Sequence, residues 1–317
     1  MDHKVAFVFP GQGSQVVGML SEFAATRASV LDTFAEASAV LGYDLWQLVQ
    51  NGPEAQLNQT EFTQPALLAA SIALWRLARE DGIAEPAMLA GHSLGEYSAL
   101  VAAGVIDFAD GIKLVQLRGQ FMQTAVPLGE GSMAAVLGLD DAQVSAICSE
   151  ITLNGGPDDV VQAANYNAPG QVVIAGKNAG LARAIEACKA AGAKRAMALS
   201  VSAPFHSVLM QPAAEKMAIE LAVVDFRAPA IQIIQNVDAD FCQHPDKIRE
   251  NLVQQMTSAV RWTETIQLMA GAGVTRVVEC GPGKVLAGLN KRIDKSLVSL
   301  SINSLASLAE GVEELSQ

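Results

Sequence analysis

A serine between two glycines, Gly91-His92-Ser93-Leu94-Gly95, is the clearest chemical feature of the chain. The apolar run Pro86-Ala87-Met88-Leu89-Ala90 leads into it, and the helix-forming run from Glu96 to Leu100 follows. That is the strand–turn–helix setting of a nucleophile elbow. Such a turn lifts the serine oxygen over a helix N-terminus, where the main-chain N–H of Leu94 can face a developing oxyanion. Side chains at 91 and 95 would collide with neighbouring backbone, hence the glycines. Taken alone, the motif also fits an ordinary glycine-rich turn. A second glycine loop, Pro10-Gly11-Gln12-Gly13-Ser14-Gln15, follows the apolar run Val5–Phe9. It fails as a dinucleotide fingerprint because Val16 stands where the third glycine belongs, and no Gly-x-x-x-x-Gly-Lys phosphate loop exists. It can bring main-chain N–H groups close to a ligand, or simply turn the chain.

A serine hydroxyl needs a base at neutral pH. Of the four histidines, His3 near the terminus and His244 in Gln243-His244-Pro245-Asp246 read as surface residues. His92 adjoins Ser93, but the sharp turn points neighbouring side chains apart, so His92 reads as pocket lining. His206, in Ala203-Pro204-Phe205-His206-Ser207 at a loop-to-helix junction, is the remaining candidate base, although a histidine there can also serve as a cap. Arg118 carries the other chemical signal. Leu114, Val115, Phe121 and Met122 occupy its helical neighbour positions, which puts the guanidinium on the core-facing stripe. A buried guanidinium requires a partner, either a structural carboxylate or one on a ligand.

The elements that must position these groups follow from patterning. With 317 residues, 50% hydrophobic, 17% charged and 5% aromatic, the chain suits an α/β protein with buried parallel strands. Strands are expected at Val5–Phe9, before Gly91, at Ile231–Asn236 and at Val274–Cys280. Helices are expected over Leu41–Gln50, Gln64–Arg79, Glu96–Ala103 with Gly104 as cap, Asp110–Met122, Lys247–Met256 and Thr263–Ala272. A further helix runs from about His206 to Val224, and the tail beyond about 300 carries little signal. Between the turn-rich joints at 127–131 and 202–204, the order is strand Ser132–Leu139, helix Asp141–Ile151, strands Val160–Tyr166 and Gln171–Ala175, helix Gly180–Ala191, and a strand near Arg195–Val201. That β-α-β-β-α-β order is ferredoxin-like. The expected architecture is a large α/β-hydrolase-like domain, 1–127 and 200–317, with a parallel sheet and nucleophile elbow. A small ferredoxin-like α+β subdomain, 128–199, is inserted in it.

The net charge of −12 argues against a nucleic-acid binder, which needs a basic face. Four widely spaced cysteines without a Cys-x-x-Cys pair read as buried thiols of a cytoplasmic protein. The N-terminal apolar run is too short for a signal peptide, and no segment has the length of a membrane span. Nothing calls for more than a monomer.

Five motifs, in order and over nearly the whole chain, then converge. Gly11-Gln12-Gly13-Ser14-Gln15, Gly91-His92-Ser93-Leu94-Gly95-Glu96, Arg118-Gly119, Ala203-Pro204-Phe205-His206-Ser207 and Glu279-Cys280-Gly281-Pro282-Gly283 closely resemble the malonyl-CoA:acyl carrier protein transacylase family of bacterial fatty-acid synthesis. The resemblance implies that Ser93 attacks the thioester of malonyl-CoA while His206 takes its proton. It assigns the oxyanion to the N–H groups of Gln12 and Leu94, and the malonyl carboxylate to Arg118. A main-chain carbonyl at Gln255 would orient His206, and the Gln255 side chain, His92, Gln64, Asn165 and Asn167 would lie near the acyl or CoA site. It implies ping-pong transfer to the phosphopantetheine thiol of a holo acyl carrier protein, with no cofactor or metal. That carrier is acidic, so a basic rim is expected from Lys189, Lys194, Arg195, Lys284, Lys291 and Arg292. An α/β-hydrolase shares the elbow but needs an acid between nucleophile and histidine. A relative loading another acyl group, methylmalonyl included, and a non-catalytic binding module are the other readings.

Overall fold

The structure, a computed structural model, describes residues 4–315; His3 lies outside them. Among the described residues, ten strands form two sheets. The larger holds β1 (Lys4–Phe9), β2 (Met88–Gly91), β7 (Gln232–Ile234), β8 (Phe241–Cys242), β9 (Val274–Cys280) and β10 (Val298–Ile302). Their order is β10-β9-β1-β2-β7-β8, with every neighbouring pair parallel except β7 and β8. The central strands β1 and β2 are apolar almost throughout because helices cover both faces. β1 and β2 run in register from Ala6 opposite Met88 to Phe9 opposite Gly91, so their C-terminal ends coincide. The loop after β1 and the elbow after β2 therefore emerge side by side, at the strand ends where open α/β sheets bind ligands.

The second sheet holds β3 (Gly131–Leu137), β4 (Val161–Ala168), β5 (Gln171–Lys177) and β6 (Arg195–Ala198) in the order β4-β5-β3-β6, all antiparallel. With helices Asp141–Asn154 and Asn178–Ala190, this is the β-α-β-β-α-β arrangement expected, and it packs its own apolar cluster. Its strand β4 touches the rest of the molecule directly. The Tyr166 N–H bonds to the Val260 carbonyl, and the Val260 N–H bonds to that of Ala164, each at 2.9 Å.

Several elements differ from the sequence reading. The pattern assigned to a helix over 41–50 is split: one helix, Ala28–Leu41, ends at Gly42 in the left-handed region (φ 76°), and another, Leu45–Asn51, begins after it. Asp44 caps the second by accepting the Gln47 N–H at 2.8 Å. The tail carries both β10 and the helix Leu305–Leu315, which buries Leu308 against the core.

Two long helices carry the arginine and its neighbours, Thr60–Glu80 and Phe108–Thr124. They approach so closely at Gly119 that a Cβ there would stand 2.7 Å from the Glu61 Cα and the Thr60 carbonyl oxygen. That closeness sets Arg118 against Gln64.

Candidate active site

The elbow is built by steric necessity. A Cβ at Gly91 would lie 1.9 Å from the Gly95 carbonyl, and one at Gly95 would lie 2.0 Å from the Phe9 oxygen. Ser93 itself sits at φ 53°, a left-handed conformation that few non-glycine residues adopt. The helix Gly95–Ala102 starts directly behind it. Asn236, in the turn just after β7, clamps the elbow: its Oδ1 accepts the Ser93 N–H at 2.7 Å, and its Nδ2 donates to the Gly91 carbonyl at 2.7 Å.

His206 stands opposite, buried and also left-handed (φ 56°). Its Nε2 lies 2.7 Å from Ser93 Oγ, and its Nδ1 lies 2.8 Å from the Gln255 carbonyl oxygen. A carbonyl only accepts, so Nδ1 carries the proton and Nε2 is left to accept from the serine. The expected main-chain partner at Gln255 is thus in place, where hydrolases use a carboxylate. Burial, then the nearby Arg118 charge, pushes the His206 pKa down to about 3, so the imidazole is neutral at physiological pH. Gln162 of β4 holds the loop: its Nε2 donates to the His206 and Thr257 carbonyls, each at 3.3 Å, and its Oε1 accepts the Val208 N–H at 2.9 Å.

Arg118 is 1% exposed, yet its partners are neutral. Nη1 donates to Gln64 Oε1 at 2.9 Å, while Nη2 donates to Gln255 Oε1 at 2.8 Å and to Ser93 Oγ at 3.2 Å. Among the described residues no carboxylate lies within salt-bridge distance of it, and its Nε makes no hydrogen bond. The structural ion pair left open by the sequence is therefore absent from the described residues. A guanidinium this deep ordinarily has a counter-ion, and among the described residues this one has none.

The loop after β1 comes to the elbow from the other side. A Cβ at Gly11 would stand 2.5 Å from the His92 carbonyl oxygen, so glycine is what lets Gln12 approach. The N–H groups of Gln12 and Leu94 have no acceptor among the described residues, and both residues line the cavity beside Ser93. His92 is half-buried and donates from Nε2 to Asn167 Oδ1 at 2.8 Å. Gln64, His92, Asn165 and Asn167 all line the same cavity of about 250 Å³. Met133 and Val173 of the smaller sheet line it together with Met122 and Leu286. The helix Val285–Ile293 contributes the last wall, and buried Glu279 fixes its start by accepting the Ala287 N–H at 2.8 Å.

Sequence reasoning passed over Asn236, Gln162 and Glu96 as contacts of the site. The signal for Glu96 was legible: a charged residue in the otherwise apolar first turns of the elbow helix. His244 is exposed, as expected, and all four cysteines are free and buried. Of the basic residues, Lys284 directly precedes cavity-lining Val285, and Lys291 and Arg292 end the same helix. Lys189, Lys194 and Arg195 sit on the smaller sheet's periphery; none lines the cavity, and Lys189 pairs with Glu186 at 2.8 Å. Among the described residues no cluster of His, Cys, Asp and Glu could hold a metal, and no helix is long and apolar enough to cross a membrane.

This geometry suits acyl transfer, with a serine hydroxyl set against a neutral imidazole. The chain belongs to the acyl transferase domain family, whose model matches residues 6–307. It is 54% identical over 308 residues to the malonyl CoA-acyl carrier protein transacylase of Escherichia coli K12, covering 97% of this chain and 98% of that one. To the transacylase of the same name from Bacillus subtilis it is 43% identical over 314 residues, 99% and 98% of the two chains. Among solved structures it superposes on an acyl carrier protein S-malonyltransferase of Vibrio cholerae with a TM-score of 0.94 at 55% identity, covering 97% and 99%. A malonyl-transacylase solved in complex with a type II PKS acyl-carrier protein matches with a TM-score of 0.95 at 51% identity, covering 98% and 99%.

Proposed function

We propose that the chain works as a malonyl CoA-acyl carrier protein transacylase, moving the malonyl group through an ester on Ser93 and so supplying fatty-acid synthesis. Ser93 Oγ attacks the thioester carbonyl of malonyl-CoA, and its proton passes to His206 Nε2 across the 2.7 Å hydrogen bond. The tetrahedral oxyanion takes the N–H groups of Gln12 and Leu94, each donor of this kind lowering the barrier by about 3 kcal/mol. Arg118 receives the far carboxylate, the planar guanidinium suiting two parallel hydrogen bonds. The intermediate collapses, the carbon–sulfur bond breaks, and CoA leaves with the proton returned by His206. The thiol of the carrier's phosphopantetheine arm then enters, His206 deprotonates it, and the second displacement restores Ser93.

One observation carries the reading of the acyl group: Arg118 is buried 3.2 Å from Ser93 Oγ with only neutral partners. A neutral acyl chain would leave that charge unmatched. Gln64, His92, Asn165, Asn167 and the Gln255 side chain shape the acyl and pantetheine channel. Residues 1–127 with 200–317 act as the catalytic domain, and 128–199 as an inserted subdomain that roofs the site. The chain works as a monomer in the cytoplasm without a cofactor. An acidic carrier protein docks on a local basic rim; Lys284, Lys291 and Arg292, at the two ends of the helix that lines the cavity, support that placement best. Intact mass after mixing with malonyl-, methylmalonyl- and acetyl-CoA in turn tests the scheme. A malonyl adduct is expected on the wild type and none on Ser93→Ala; an adduct on that variant overturns the nucleophile.

A further inference from the structure

We propose that Glu96 is a positioning residue for Arg118, acting through the side-chain amide of Gln255. Glu96 lies in the first turn of the elbow helix and is fully buried. Its oxygens collect three N–H donors: Gln235 Nε2 at 3.0 Å, the Asn236 main chain at 2.9 Å and Gln255 Nε2 at 3.1 Å. It donates to nothing among the described residues, which is the geometry of a carboxylate rather than an acid. Burial raises its pKa to about 7 and the three donors oppose that rise; it is their convergence on the two oxygens that favours the ionised form.

The consequence falls on Gln255, which is also fully buried. A side-chain amide has one donating and one accepting end. Its nitrogen is committed to Glu96 and to the Ser93 carbonyl at 3.1 Å, so its oxygen must face Arg118 Nη2, at 2.8 Å. Inverted, the amide would set NH₂ against the guanidinium, donor facing donor. The negative charge at 96 therefore selects the orientation in which Arg118 is held. Carboxylate, amide and guanidinium form a hydrogen-bonded chain that orients the buried cation without pairing with it. Direct contact would do this less well, because a carboxylate touching Arg118 would occupy the N–H groups that an acyl carboxylate needs. The same carboxylate ties down Asn236, which clamps the Ser93 turn, so the arginine and the elbow share one anchor.

This rests on Arg118 holding the acyl carboxylate, and the experiment separates the two. Glu96→Gln keeps the volume, but it must turn its own NH₂ towards one of three donors and frees Gln255 to invert. The kcat/KM for malonyl-CoA loading should fall roughly tenfold to a hundredfold, as when a hydrogen bond to a charged group is lost, and that for acetyl-CoA by about threefold at most. A merely structural role would lower both alike, leaving their ratio unchanged, and that result overturns the proposal. In a Gln255→Leu background, which retains the main-chain carbonyl facing His206, Glu96→Gln should not move the ratio further. A full additional loss there would mean that Glu96 does not act through Gln255. Gln255→Leu alone should reproduce the fall in the ratio, a test that survives if Glu96→Gln does not fold. If Arg118→Ala abolishes the preference while Glu96→Gln spares it, the role of Glu96 fails and the carboxylate clamp stands. If Arg118→Ala also spares it, the clamp itself is wrong.

Discussion

Replacing Arg118 with alanine is the perturbation whose size the structure best defines. The guanidinium is 1% exposed and meets Gln64, Gln255 and Ser93, all neutral. In the loaded enzyme it would face a carboxylate at contact distance. At about 4 Å and an effective dielectric near 20, that attraction is about 4 kcal/mol. Stripping one partner from a buried pair costs about 3–5 kcal/mol, because the remaining charge is left without water. With a tenfold change in rate for about 1.4 kcal/mol, kcat/KM for malonyl-CoA should drop by about two to three and a half powers of ten. Acetyl-CoA has no carboxylate to strand. It loses only what the Arg118 hydrogen bond to Ser93 Oγ contributes, about tenfold, the low end for a charged donor because the bond is long at 3.2 Å. Stopped-flow or quenched loading of each CoA ester, followed by intact mass, gives both numbers. The ratio cancels any general damage to the nucleophile. A malonyl-to-acetyl ratio within about threefold of wild type would refute the clamp, whatever happened to the absolute rates.

Three other outcomes follow from the same contacts. His206 has a folded-state pKa near 3, below its ordinary 6.5, so the unfolded chain binds the extra proton; its contribution to stability is complete above pH 6.5 and is lost as pH falls towards 3. Wild type should therefore lose roughly 2 kcal/mol relative to His206→Gln between pH 7 and pH 5, read by denaturant melts at each pH; parallel curves would contradict the buried neutral imidazole. Gly119→Ala puts a Cβ 2.7 Å from the Glu61 Cα and should cost about 1–3 kcal/mol of stability by forcing the two long helices apart; an unchanged Tm would show that the contact gives way freely. Charge reversal at Lys284, Lys291 and Arg292 should raise KM for an acidic carrier protein and leave CoA-ester loading alone, and equal effects on both half-reactions would remove the basic rim.

What could be read in advance, and what could not, divides along a physical line. Residues whose demands are local were legible. Gly91 and Gly95 announce a turn because glycine is the cheapest way to make one, and Arg118 announces burial because all four helical neighbours are apolar. The order of strands and helices in 131–198 followed from alternation and turn chemistry. His206 emerged only by elimination among four histidines and by resemblance, since its 2.7 Å partner is 113 residues away. Gln255, Asn236 and Gln162 are glutamine and asparagine residues whose meaning lies in contacts 44 to 162 residues distant, and no periodicity encodes those. The split at Gly42 was missed because the apolar spacing of 41–50 mimics a continuous helix across a left-handed cap.

The two side chains proposed to react share an unusual backbone. Ser93 and His206 are both non-glycine residues in the left-handed region, at φ 53° and 56°. Each such residue costs of order 1–3 kcal/mol and persists only when its surroundings over-determine it. At Ser93 the surroundings are Asn236, bonded to the main chain on both sides of His92, and the helix packed directly behind Gly95. At His206 they are Gln162 on its carbonyl and Gln255 on its ring. Those anchors come from separate parts of the molecule: the turn after β7, the smaller sheet, and the helix Pro245–Gln255. The 2.7 Å approach of Nε2 to Oγ is therefore a property of the assembled fold rather than of either loop. An acyl group arriving between them meets groups that have already given up their freedom, so little ordering is left to the transfer step itself.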